Sequence, residues 1–293
     1  MWSKFVLCLC ALLALFVPGA LPAAQEVEGE GDAYLLAALN DWNGVLRAEW
    51  MDLRAQQVDV LTLGQERASA RLHRQPFRWV AADPRRAALG STLTYRIDTA
   101  DLQASGLDPV EAEAAIDRAM GTWAANKCFR KAGLAKRAAD GTDADIFDYG
   151  YGYGGYGNHL AADIVHAGFL PPDFFEQVAG PGGGQTVVAL SVTFIYVDSA
   201  GQPTDADRDG YLDTAHNEVY YNQAFSWAGG GMDLETVALH EIGHSLGIGH
   251  IGPPPQAVMN PVYAGAERAL YRYDHSALCS IWSPWPRRFR GRR

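Results

Sequence analysis

The chain has 293 residues, 48% of them hydrophobic and 20% charged, enough apolar material for a sizeable core. Its formal net charge is −10, and Lys4 and the five arginines of residues 286–293 stand in segments without acids, so the body between is more acidic still. That balance speaks against a nucleic-acid partner and suits a protein that holds divalent cations.

Lys4 precedes an apolar run from Phe5 to Val17, followed by Pro18, Gly19, Ala20, Ala23 and Ala24. This is the pattern of a secretory leader over residues 1–24, cleaved between Ala20 and Gln25. The run is short for a bilayer span, and no later stretch is long and apolar enough to be one. Export implies a secreted, extracellular protein, or a periplasmic one in a Gram-negative cell, with no membrane contact after cleavage. Cys8 and Cys10 leave with the leader. Cys128 and Cys279 remain, and in an oxidising compartment the pair favours a disulfide between distant parts of one domain over two buried thiols.

Leu35, Leu39, Trp42, Leu46, Trp50 and Leu53 recur at helical spacing, which predicts an amphipathic helix over residues 33–55. Residues 56–90 are mixed, so residues 25–90 read as a pro-segment or an N-terminal extension, and residues 91–285 as one domain. Leu93–Asp98 alternates as a strand. Asp108 caps a helix with Pro109 at its first position, running to about Asn126. Asp145-Ile146-Phe147 reads as a short strand, and a Gly/Tyr-rich loop follows over residues 149–157. Val187–Val197 and Glu218–Asn222 are rich in β-branched and aromatic residues and read as strands.

Between those strands, Asp205, Asp207, Asp209 and Asp213 fall at positions 1, 3, 5 and 9 of a loop with Gly210 at position 6, the hard-oxygen pattern that suits Ca²⁺. Position 12 is His216 rather than Glu, so a bidentate ligand comes from elsewhere, Glu218 being a candidate, and the alternative is a solvated acidic hairpin. A helix starts near Asp233 and Leu234, another covers Asp274 to Ile281, and residues 286–293 are a basic tail.

Residues 240–250 read His-Glu-Ile-Gly-His-Ser-Leu-Gly-Ile-Gly-His. On a helix, His240 and His244 project from one face and can hold one metal ion. Gly247 can take a positive φ and turn the chain back, so that His250 returns as a third ligand. Three imidazole nitrogens at about 2.0–2.1 Å leave the fourth position of a tetrahedral Zn²⁺ for water, with Glu241 beside it as general base. Ala257-Val258-Met259-Asn260-Pro261-Val262-Tyr263 follows.

Together these segments resemble the metzincin metalloproteases, in which a methionine turn, here Met259, runs beneath the zinc. Leu93–Asp98, the helix ending Gly121-Thr122-Trp123, Ala144-Asp145-Ile146, Asp233–His240 and Tyr273-Asp274-His275 resemble the matrixin branch in particular. The resemblance implies an α/β (α+β) zincin: a twisted, mostly parallel sheet with one antiparallel edge strand, an active-site helix, and a small C-terminal subdomain after the third His. It implies a monomeric zinc endopeptidase whose protein or peptide substrate lies extended along the edge strand, with Tyr263 near the specificity pocket. His159, Asp163, His166 and His216 are a weaker set for a structural zinc, because their spacing departs from the family pattern. The chain also departs from matrixins in having no Cys between Gln25 and Asn126, so a latency ligand has to be an oxygen donor, Asp83 or Asp41. A calcium-dependent adhesion module on an inactive fold is the competing reading, and the intact Glu241 weighs against it.

Overall fold

The computed structural model describes residues 52–63, 75–99, 101–143, 145–154 and 159–286, with Leu35 and Asn43. The leader, Asp41 and residues 287–293 of the basic tail lie outside the described residues.

Seven strands form a mixed sheet: β1 (Leu53–Thr62), β2 (Phe77–Arg78), β3 (Leu93–Ile97), β4 (Leu134–Lys136), β5 (Ile164–Leu170), β6 (Val187–Tyr196) and β7 (Leu212–Asn222). The order is β1-β6-β7-β5-β3-β4, and β2 pairs with the start of β7. β4, β3, β5 and β7 are mutually parallel, while β6 runs antiparallel to β7 and β1 antiparallel to β6. Among the fully described elements, five α-helices accompany the sheet: α1 (Pro109–Ala124), α2 (Pro172–Ala179), the single turn α3 (Gly183–Thr186), α4 (Leu234–Ser245) and α5 (Arg272–Trp282). Asp108 caps α1 with its side chain, accepting from the Val110 and Glu111 amides, and Pro109 opens the helix. One core joins α1, α4 and α5 through Ile116, Trp123, Val237, Ile242, Leu278 and Trp282. A second core holds α2 by Phe174, Phe175 and Val178 against Phe147 and Tyr220. No described helix is long and apolar enough to cross a membrane.

The structure corrects several sequence expectations. Leu35 and Asn43 are helical, but Leu53–Ala55, expected to end that helix, begin β1. Their apolar side chains suit either period, and the ladder to β6 decides. Asp145–Phe147 is not a strand, because the Ile146 and Phe147 amides donate to the buried Glu218 carboxylate at 2.6 and 2.9 Å instead of to a neighbouring strand. The strand between β3 and β7 is β5, preceded by a second Ala-Asp-Ile at Ala162–Ile164. The sheet also extends ahead of the domain start expected at residue 91, since β1 and β2 belong to it and Trp79 is buried in the core. The sheet has two antiparallel pairings rather than one: β6 is antiparallel to β7 and is itself covered along nine register pairs by β1.

Candidate active site

The site is built on α4, all twelve residues of which are buried. Asp233 caps its N-terminus, accepting from the Thr236 amide at 2.9 Å, and the Asp233 amide in turn donates to the Tyr263 hydroxyl at 2.9 Å. At the other end Gly247 takes φ +87°, and the Gly247 and Ile248 amides close on the carbonyls of His244 and Gly243 at 2.8 and 3.0 Å. Two further carbonyls of this end, those of Ser245 and Leu246, receive the indole N–H groups of Trp79 (2.7 Å) and Trp282 (3.0 Å).

This turn brings His240, His244 and His250 together, with a nitrogen of each within 4.8 Å of the others. Nδ1 of His240 lies 2.7 Å from the Val258 carbonyl and Nδ1 of His244 lies 2.8 Å from that of Ile248. A carbonyl only accepts, so both Nδ1 atoms carry the proton and both Nε2 atoms present lone pairs. Those Nε2 atoms stand 3.0 Å apart. Burial pushes the imidazoles down, His240 to about 3 and His244 to about 4, so both are neutral. Facing lone pairs repel unless a cation lies between them, so this donor set fits Zn²⁺.

Glu241 follows His240 and is fully buried. Neither of its carboxylate oxygens has a hydrogen-bond partner among the described residues. Burial, with the Asp59 charge adding to it, holds its carboxyl well above the ordinary range. A cation at the histidines acts in the opposite sense.

Met259 is fully buried beneath the helix. A Cβ on Gly243 would meet its Sδ at 2.2 Å, so the close approach of turn and helix requires glycine there. The Ile251 amide donates to the Met259 carbonyl at 2.8 Å, tying the chain after His250 to the turn. A small pocket beside the histidines is lined by Leu61, Thr236, His240, Val258, Val262 and Tyr263.

The sequence reading missed Asp59, whose carboxylate stands 3.7 Å from Nδ1 of His244. Gln57 Nε2 donates to it at 2.7 Å and Gln75 Nε2 at 3.3 Å, while burial raises its carboxyl to about 7. Residues 56–90 read as mixed, and the β-branched Val58 and Val60 on either side of Asp59 are the local sign that could have marked a strand. Asp83 is not at the histidines. Its buried carboxylate is bound by Arg85 at 2.6 Å, and the same guanidinium reaches Asp213 at 2.8 Å.

In the acidic loop, Asp205, Asp207 and Asp213 bring carboxylate oxygens within 4.8 Å of one another. Asp209 is not among them and pairs with Arg78 at 3.1 Å, while Asp213 is also paired, with Arg85 at 2.8 Å. Glu218 is engaged elsewhere, with the Ile146 and Phe147 amides and His216. Among the described residues His159, Asp163, His166 and His216 do not converge as a group of metal ligands. Asp163 is locked in a buried pair with Arg86 at 3.1 Å, His166 meets the Tyr221 hydroxyl, and His216 meets the Ala162 carbonyl. Cys128 and Cys279 form a disulfide across 151 residues, joining the chain after α1 to α5.

The matrixin family model matches residues 175–283, which include the histidines, Met259 and α5. Karilysin of Tannerella forsythia is 43% identical over 66 residues, a stretch covering 22% of this chain and 13% of that protein. The segment is therefore matrixin-like, in a fold consistent with a metzincin.

Proposed function

We propose that this matrixin-like chain is a zinc-dependent endopeptidase, with His240, His244 and His250 as the metal ligands and Glu241 as the general base. The observation that carries the reading is the convergence of the three imidazoles, two with Nε2 lone pairs 3.0 Å apart, beside a buried carboxylate that has no hydrogen-bond partner among the described residues. Zinc held there would polarise the scissile carbonyl and acidify a water molecule. Glu241 takes the proton of the attacking water and delivers it to the leaving amine. Val258 and Ile248 hold the imidazoles in one tautomer through their carbonyls, and Met259 supports the helix from below. Tyr263, tied to the cap of α4, forms one wall of the pocket that receives a substrate side chain.

The leader pattern supports export, and the disulfide suits an oxidising compartment. Ca²⁺ in the acidic loop would be a structural ion, held by Asp205, Asp207 and Asp213. Metal analysis of the purified chain, together with hydrolysis of a quenched generic peptide, tests the reading. One zinc per chain and chelator-sensitive hydrolysis are expected, and a chain free of zinc that is also inert in every processed form refutes it.

A further inference from the structure

We propose that Asp98, Asp143 and Asp145 hold a buried Ca²⁺ that fastens the segment between β4 and β5 to the sheet. The site shares no residue with the acidic loop of Asp205, Asp207 and Asp213. All three aspartates also lie ahead of residues 175–283, the part that matches the matrixin family model.

Asp98 directly follows β3. Its amide donates to the His166 carbonyl at 2.9 Å, which continues the pairing with β5, and its side chain is buried. Asp143 and Asp145 come to it from the segment after β4. One carboxylate oxygen of each lies within 4.8 Å of those of the other two. Asp145 is 0% exposed, and neither of its oxygens has a hydrogen-bond partner among the described residues.

A carboxylate buried without donors must take up a proton or meet a cation. One proton bridges two carboxylates, whereas one divalent ion takes all three of this cluster. Burial, then the neighbouring Asp148 and Glu218, disfavour the charge on Asp145, and a cation acts in the opposite sense. The donors are hard oxygens, which suit Ca²⁺ or Mg²⁺ over Zn²⁺. Mg²⁺ demands near-octahedral geometry and keeps its waters, so a buried carboxylate cluster drawn from a strand end and an irregular segment suits Ca²⁺.

The segment is clamped on both sides of the cluster by groups other than the three aspartates. Ahead of it, Arg96 of β3 pairs with Asp140 at 2.8 Å and donates to Thr142 Oγ1 at 3.2 Å. Beyond it, the Ile146 and Phe147 amides hold the Glu218 carboxylate of β7. Rigidity and high ligand charge both favour tight binding. Phe147 packs edge-on against Phe174 of α2, with ring centroids 6.1 Å apart, so an ion here also steadies the seat of α2. A buried ion exchanges slowly and stays with the chain on dialysis. The acidic loop, exposed at Arg208 and Gly210, is the place where added calcium acts.

Calcium content tests the proposal. The full zinc-loaded chain, prepared in calcium and dialysed against calcium-free buffer containing magnesium, is expected to retain one calcium. Asp207→Asn should retain it equally. Asp145→Asn should retain about tenfold less, with zinc unchanged, because the buried ligand charge is lost. Amide exchange over residues 142–148 should rise in that variant while α4 stays protected. Should Asp145→Asn fail to fold, the half-buried Asp143→Asn gives the second measurement, with calcium lost on dialysis about tenfold faster and zinc kept. A wild-type chain that retains no calcium overturns the proposal and leaves the three carboxyls sharing protons. Loss of the retained calcium in Asp207→Asn, or undiminished calcium in both Asp145→Asn and Asp143→Asn, overturns it as well.

Discussion

The carboxylate of Asp274, in the first turn of α5, accepts the backbone N–H of Met259 at 3.2 Å, and it also takes the amides of Val258 (3.0 Å) and Tyr271 (2.8 Å). One buried side chain thereby caps its own helix and fixes the turn beneath the metal site, 15 residues away in sequence. Asp274→Ala leaves these donors without their acceptor, and an unsatisfied buried donor costs about 1–3 kcal/mol. A loss of about 2 kcal/mol or more is expected in urea unfolding, with weaker zinc retention. Wild-type stability in this variant would show that the turn is held by packing alone.

Glu241→Gln keeps the shape of the side chain and the histidine cluster but removes the base. Zinc content should stay at one per chain, while kcat falls by at least about 10²-fold, the scale of general acid–base catalysis. Measured on the processed chain, near-normal turnover would assign the proton transfer to another group.

His250→Ala reduces a three-nitrogen site to two and should lower zinc retention on dialysis against a weak chelator. Because α4 is capped and packed independently of His250, helical circular dichroism should be preserved. Undiminished zinc would remove His250 from the ligand set.

Calcium is expected to raise Tm at pH 7 by mass action on the folded state. Burial, followed by the charges of Asp209 and Asp205, raises the carboxyl of Asp207 to about 6 from an ordinary 3.8. Without a cation its ionisation opposes folding, so this group favours the folded chain as pH falls through about 6 toward 4. Calcium needs the ionised form, so its increment in Tm should be full above pH 6 and fade below it. Asp207→Asn should abolish the increment without loss of zinc. A calcium response that persists in the variant would place the ion elsewhere.

Features set by local chemistry were legible in the sequence. The i, i+4 histidines, the glycine that ends their helix, the helix start near Asp233 and the Asp108 cap depend on residues within a turn or two, and the structure has each at that place. The Cys128–Cys279 bond was legible by counting, once the leader cysteines were set aside. Partnership across the sheet was not. Leu53–Ala55 continues a helical pattern, and only the ladder to β6 makes it a strand. Asp83 and Asp59 are both acids ahead of the expected domain start, yet Arg85 ties one to Asp213, far along the chain, and the register of β1 carries the other to His244. Asp209 matches its loop pattern, but Arg78, distant in sequence, takes it. A hydrogen-bonding group binds whichever partner the packed chain brings within reach, and at separations of a hundred residues or more that choice belongs to the tertiary structure.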